Sequence, residues 1–202
     1  SNNSVVCLDA RTGARIWAAP LNSCDAGPTP TVAGGRVFLP FWGKKGPSVA
    51  ALSAEDGRLL WEAVMPQSTG KHFYGLAGSA RAWEDLAFFN IGGGAAVKQD
   101  SGEIAWKHEG HTAYATPVVF TAKGKPGVAF FTGDSLIARD ARSGTELWRI
   151  PWKTSLHVSA CDPLVLGDRV FLCSHYGRGR ARYDVSGESP RLVWEDHKDG
   201  SG

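Results

Sequence analysis

The sequence lacks most of the signals that announce a chemistry. Its four cysteines, Cys7, Cys24, Cys161 and Cys173, form no CxxC pair. No Cys/His cluster has the spacing of a zinc site. Sustained helical periodicity is missing, which argues against a helical bundle. No apolar run approaches the roughly 18 residues of a membrane-spanning helix. Charge of one sign is missing too: 22 Lys and Arg face 20 Asp and Glu, for a net +2. Charge alone therefore implies neither a nucleic-acid nor a membrane partner. The single methionine is not at position 1, and the opening Ser-Asn-Asn-Ser carries no basic and apolar leader. These features lead one to expect a soluble piece cut from something longer. His157, Ser159 and Asp162 could be offered as a hydrolase triad, but no nucleophile elbow accompanies them.

What is present is a phrase ending in tryptophan. It reads Cys7-Leu-Asp9-Ala-Arg-Thr12-Gly13-Ala-Arg-Ile-Trp17. It returns as Ala51 to Asp56-Gly57 to Trp61, as Ala96 to Ser101-Gly102 to Trp106, and as Ala138 to Ser143-Gly144 to Trp148. A degenerate copy runs from Tyr183-Asp184 to Val193-Trp194. The tryptophans lie 44, 45, 42 and 46 residues apart. A period in the forties marks a repeat array. Each unit buries its apolar face only against a neighbour, so 202 residues form one array and not two domains.

Each unit reads as four short strands. In residues 28–61 these are Pro28–Ala33, Arg36–Phe41, Val49–Ser53 and Arg58–Ala63. Gly34-Gly35 makes the first hairpin turn, and Trp42 to Ser48 reads as a loop. Four antiparallel strands per period of about 44 residues is the make-up of a propeller blade. The expected fold is an all-β propeller with blades at about 28–64, 77–108, 114–150 and 159–195. Residues 4–19 supply only the outer two strands of a further blade, an N-terminal half-blade. That pattern is expected of part of a larger ring of seven or eight blades, or of copies that associate edge to edge, because open strand edges invite pairing.

In the phrase, Gly13, Gly57, Gly102 and Gly144 stand where a turn needs positive φ. Asp9 and Asp140 can accept from Thr12 or Ser143 and from turn amides. Trp17, Trp61, Trp106, Trp148 and Trp194 then lie on the outer strand, placed to stack on the neighbouring blade as structural staples. Burying such a ring is worth about 3–5 kcal/mol. Cys161 and Cys173 flank a hairpin turn at Gly167-Asp168, so they are either a disulfide or two small buried hydrophobes in adjacent strands.

The pattern Ala-x-Asp-x-x-Thr-Gly-x-x-x-Trp resembles the tryptophan-docking motif of the PQQ-like propellers, which include quinoprotein alcohol dehydrogenases and BamB-like outer-membrane assembly lipoproteins. The resemblance covers almost the whole chain. It implies a periplasmic, extracellular or cell-envelope location and a non-catalytic binding or scaffolding role with a protein or peptide partner. Its alternatives are a fragment of a quinoprotein dehydrogenase or the sensor region of an envelope signalling protein. Departures are Ser53 and Lys98 in place of the aspartate, and about two extra residues around Gly187-Glu-Ser-Pro190, which predict looser outer turns. The quinone-holding relatives use a disulfide of neighbouring cysteines, a calcium site and a tryptophan floor. No adjacent cysteines occur here, so neither PQQ nor calcium is expected as a cofactor.

A binding face is expected around the channel, from the loops that enter each first strand and those between second and third strands. His111 and His157 each precede a strand proline, Pro117 or Pro163, by six residues, with Tyr74 and Cys24 at the matching places. Thr29, Ser79, Thr116 and Asp162 form a second polar ring. The candidate binding face comprises Trp42, Lys45, His72, Tyr74, His111, Tyr114, His157, His175, Tyr176 and Arg178, with Lys44, Asn90, Asp134 and Arg180 nearby. Two histidines without a third ligand make a weak metal site.

Overall fold

The computed structural model describes residues 3–21, 28–65 and 75–197. His72, Tyr74 and Cys24 lie outside these described residues. The described residues form eighteen strands and no helix. Strands β1 (Ser4–Leu8) and β2 (Arg15–Pro20) make a two-stranded sheet. Four antiparallel four-stranded sheets follow, each a meander. The first holds β3 (Thr31–Ala33), β4 (Arg36–Gly43), β5 (Gly46–Ser53) and β6 (Leu59–Val64). The second holds β7 (Arg81–Trp83), β8 (Leu86–Phe89), β9 (Ala95–Lys98) and β10 (Ile104–Lys107). The third holds β11 (Val118–Ala122), β12 (Lys125–Phe131), β13 (Ser135–Asp140) and β14 (Glu146–Pro151). The fourth holds β15 (Leu164–Leu166), β16 (Arg169–Ser174), β17 (Gly179–Asp184) and β18 (Arg191–Asp196).

The first sheet departs from the expected loop at Trp42 to Ser48. There β4 and β5 continue to a tight hairpin, pairing Trp42 with Pro47 and Gly43 with Gly46. Only Lys44 and Lys45 remain as the turn, and both are exposed.

The second and third strands of the first three four-stranded sheets are covered on both faces, which is why they read as largely unbroken apolar runs, whereas in the fourth sheet Arg169, Cys173 and Arg180 are exposed. Side chains alternate between faces. In β8, Leu86 and Phe88 join one core cluster with Val128 and Phe130 of β12. Ala87 and Phe89 join another with Phe38, Val49 and Ala51 of the first sheet. In β12, Ala129 and Phe131 turn towards Val170, Leu172 and Ala181 of the fourth sheet. Each inner sheet is thus glued to two neighbours by opposite faces of the same strands.

The tryptophan phrase adds a latch at the outer rim. The turn glycines Gly13, Gly57, Gly102 and Gly144 all have φ near +70°. The indole of each sheet lies on the glycine turn of the next: a Cβ on Gly57 would meet Trp17 at 2.6 Å, one on Gly102 would meet Trp61 at 2.6 Å, and one on Gly144 would meet Trp106 at 2.6 Å. Each ring nitrogen donates to the same turn, Trp17 to Ala54 O, Trp61 to Gln99 O and Trp106 to Ala141 O, at 2.9–3.2 Å. Trp148 and Trp194 depart from this. Trp148 packs into the cluster below the fourth sheet, but its ring nitrogen is buried without a partner. The fourth sheet's turn carries the extra residues, and its Gly187 lies against no indole. Trp194 is 41% exposed and Gly13 has nothing within 4 Å.

The Gly13 and Gly144 turns are held by their own carboxylates. Asp140 accepts from Arg142 N, Ser143 N and Ser143 Oγ at 2.8–3.0 Å, and Asp9 does the same with Arg11 and Thr12. The Ser143 amide bond, first among these donors, holds the Asp140 carboxyl below its usual value.

Two outcomes follow from the latch. Gly102→Ala combines a left-handed φ with a clash on Trp61, whereas Gly13→Ala meets only the φ cost of about 1–2 kcal/mol. Urea unfolding should show Gly102→Ala the more damaging by a further ~1–3 kcal/mol, and equal losses would contradict the latch. Because the folded pKa of Asp140 is depressed, its contribution is present above the unfolded pKa near 4 and lost as pH falls through the lower folded value. Thermal melts at pH 7 and pH 3 should show a smaller acid loss in Asp140→Asn than in the parent.

Candidate functional site

The loops entering the third and fourth sheets bring two predicted residues together. His111 and His157 stack with ring centroids 5.1 Å apart and planes 18° apart. Glycine makes this contact fit: a Cβ on Gly133 would sit 3.0 Å from His157 O and 3.1 Å from His111 Cβ. The Gly133 amide also donates to His111 O at 3.2 Å. His157 adopts φ +55°, a region costly for a residue with a Cβ. Its turn is pinned by Thr154, which accepts from Val158 N at 2.8 Å and donates to Val158 O at 3.2 Å. The His157 Nδ1 atom is buried and has no hydrogen-bond partner.

Beside this pair runs the β16–β17 hairpin, 175–178. Tyr176 and Gly177 both have positive φ, +62° and +77°, the signature of a turn that matches strand twist. His175 and Tyr176 are exposed at its tip. The Tyr176 carbonyl accepts from Ser155 Oγ at 3.3 Å, tying the hairpin to the His157 loop. Arg178 lies over the Trp152 ring at 4.1 Å, a cation–π contact. Trp152 is buried and donates to Ser174 Oγ at 2.7 Å. Between hairpin and loop opens a pocket of about 420 Å³ lined by Val158, Ala160, Cys161, Ser174, His175 and Tyr176. The Ser155–Tyr176 tie thus sets the His111–His157 pair and the hairpin of His175, Tyr176 and Arg178 on one ridge, with His175 and Tyr176 lining the pocket. Nothing in the tryptophan phrase or the proline register singled out Trp152, which follows Pro151 just beyond the fourth strand of its unit.

The other predicted residues sit elsewhere. Tyr114 is half-buried, and its amide donates to Ser159 O at 3.1 Å between sheets. Lys45 is on the β4–β5 hairpin, two sheets away, and Trp42 there packs on the core. Asn90, expected near the face, is buried. Its Nδ2 donates to Ala115 O at 3.0 Å and Phe131 O at 2.9 Å. The second polar ring is likewise partly consumed by structure, since Asp162 accepts from Thr116 N at 2.7 Å. That bond and the buried, unpartnered Ser159 hydroxyl are not the geometry of a triad. Arg139 was not anticipated. It is buried, and donates to Gly93 O and Gly144 O at 3.0 and 3.1 Å, bridging two sheets. Among the described residues no three His, Cys, Asp or Glu side chains are grouped to hold a metal.

Stacked four-stranded meanders latched by indoles, with a loop ridge at their inner ends, define a β-propeller repeat protein. The chain belongs to the PQQ-like repeat family, through the family model described as "Outer membrane protein assembly factor BamB", which matches residues 1–202. A comparison with curated proteins finds no match. Among solved structures, the chain is similar to BamB from Moraxella catarrhalis, at 17% identity and TM-score 0.72, covering 98% of this chain and 59% of that one. The chain thus spans less than two thirds of that relative's length. A protein of unknown function from Bacteroides caccae aligns at 9% identity and TM-score 0.49, over 94% of this chain and 73% of its own. That second likeness carries no argument.

Proposed function

We propose that the chain is a non-catalytic binding and scaffolding module of an exported or cell-envelope protein, and that it takes a peptide segment of a partner on the ridge of His111, His157, Tyr176 and Arg178. The observation that carries this reading is the pocket between the His157 loop and the β16–β17 hairpin. Its walls are mostly apolar, and His175 and Tyr176 are exposed on its rim. Such a pocket suits one apolar side chain, and the exposed His175 imidazole and Tyr176 hydroxyl at its rim suit acidic residues on either side of it. Membership of the BamB-described family supports the envelope setting. The quinoprotein alternative has no comparable support.

A fluorescently labelled peptide carrying one leucine flanked by aspartates should bind the parent. The variant with His111, His157, Tyr176 and Arg178 all changed to Ala should bind at least ~10-fold more weakly while keeping the β circular-dichroism spectrum and cooperative melt of a folded protein. Equal binding by both would reject the ridge.

A second contact surface is supported by the end sheets. Trp194, Leu192 and Leu166 on one side and Val6, Leu8 and Ile16 on the other are exposed apolar side chains. Exposed patches of this kind mark association surfaces, and we infer that each takes a further sheet of the same kind, supplied for the 202-residue chain by a second copy, Trp194 of one against the Gly13 turn of the next. Light scattering at rising concentration should show association that Trp194→Glu abolishes. A parent that stays monomeric at high concentration rules this out.

A further inference from the structure

Cys161 and Cys173 stand on the two arms of the β15–β16 hairpin. The strands pair Leu164 with Phe171 and Leu166 with Arg169. Continued outwards, that register sets residue 161 beside the end of β16, level with Ser174 and next to Cys173. Cys161 lies at a bend ahead of β15, so the strand's strict alternation of faces does not hold its side chain away from Cys173. The two thiols lie near enough for Cys173 to act on the Cys161 proton. Both are free and both belong to exposed residues, contrary to the expectation of two buried hydrophobes. Cys161 also forms part of the pocket wall. Two thiols set next to each other across one hairpin need little backbone movement to be bridged. Burial, and after it the neighbouring Cys173, push the Cys161 thiol up, so closure is slow near neutral pH and faster in alkali.

We propose that Cys161 and Cys173 are a redox pair that closes to an intramolecular disulfide at the wall of the pocket. The oxidant is a small-molecule or protein disulfide, such as oxidised glutathione. The thiolate of one cysteine attacks a sulfur of that disulfide and expels one of its halves as a thiolate. The thiolate of the second cysteine then attacks the mixed disulfide and expels the other half. One S–S bond is lost and one gained. The oxidant takes up two electrons, and the two thiol protons end on its two released thiols. The bridge ties the Ala160–Cys161 wall of the pocket to β16. It closes a short loop, which stabilises chiefly by restricting the unfolded chain. Such a bridge persists in oxidising compartments. The pairing stands on the geometry of the hairpin and does not depend on what the ridge binds.

The folded protein is incubated with oxidised glutathione at pH 8.5, blocked with N-ethylmaleimide and digested with trypsin without reduction. Cleavage after Lys153, Arg169 and Arg178 places the two cysteines on separate peptides, 154–169 and 170–178. The expected product is those two peptides joined, two hydrogens lighter than their sum. The oxidised protein should also melt several degrees higher than the reduced one, on the order of 5 °C. Cys161→Ser should remove that difference, while Cys7→Ser should keep it. Recovery of the two peptides separately, each carrying maleimide or glutathione, overturns the proposal. So does a joined peptide that pairs Cys161 or Cys173 with Cys7 or Cys24, or a melting shift that survives in Cys161→Ser.

Discussion

The stack depends on a flat ring lying on a residue without a side chain. Apolar burial between sheets is non-directional, so it would allow them to slide or rotate. The indole contact does not. The ring must lie against the turn glycine at a distance where any Cβ would collide, 2.6 Å at Gly57, Gly102 and Gly144. Its nitrogen must also reach one carbonyl, that of Ala54, Gln99 or Ala141. Two constraints on one rigid side chain fix the angle of each sheet against the next. The glycine serves twice, since its φ near +70° shapes the turn and its missing Cβ admits the ring. Where the turn is lengthened at Gly187 to Pro190, the second constraint fails, and the Trp148 nitrogen is left buried without a partner.

The latch sits on the outer strands, and so leaves the inner strand ends to other ties. Thr31 Oγ1 donates to Ala80 O, Arg81 Nε to Pro117 O, Asn90 to two carbonyls, and Asp162 receives the Thr116 amide. Each of these bonds crosses between sheets. Buried amides and carbonyls at strand ends need partners, and polar side chains from neighbouring sheets supply them. Much of what reads as a polar channel ring is therefore already satisfied internally. A partner finds the remaining groups on the His157 loop and the β16–β17 hairpin.

The sequence made the fold legible because its two periods are both strong. The tryptophan phrase marks each sheet, and unbroken apolar runs such as Leu86–Phe89 and Val128–Phe131 mark strands covered on both faces. The His111–His157 pair was legible for the same reason: register on Pro117 and Pro163 gives equivalent positions in adjacent units, and equivalent loop positions face each other across a stack. Residues outside the repeat were not legible. Trp152 takes the place that Leu21 and Met65 hold in other units, an apolar position whose pattern shows neither the Ser174 bond nor the Arg178 contact, and Arg139 reads as one more charged residue in a strand. Trp42 to Ser48 read as a loop because Lys44, Lys45 and glycines dominate it. In the structure Gly43 and Gly46 bracket a two-residue turn, and the strands run up to it.

The ridge gains its shape from residues held where they are individually unfavourable. His157 and Tyr176 both carry a Cβ at positive φ, a cost of order 1–3 kcal/mol each that persists only where the surroundings enforce it. Here the surroundings can be named. Thr154 grips both ends of the His157 turn, Gly133 leaves room for the two imidazoles, and Ser155 ties the turn to Tyr176 O. Beneath them Trp152 is fixed by Ser174 and capped by Arg178. The strain is thus carried by two sheets joined through one apolar core. An isolated fourth sheet would lack His111, Gly133 and Trp152, and with them the supports that set the His157 loop against the hairpin. The site belongs to the junction between the third and fourth units, where a shared core around Phe131, Trp152 and Leu172 and the Thr116–Asp162 bond join the sheets in place of the indole latch.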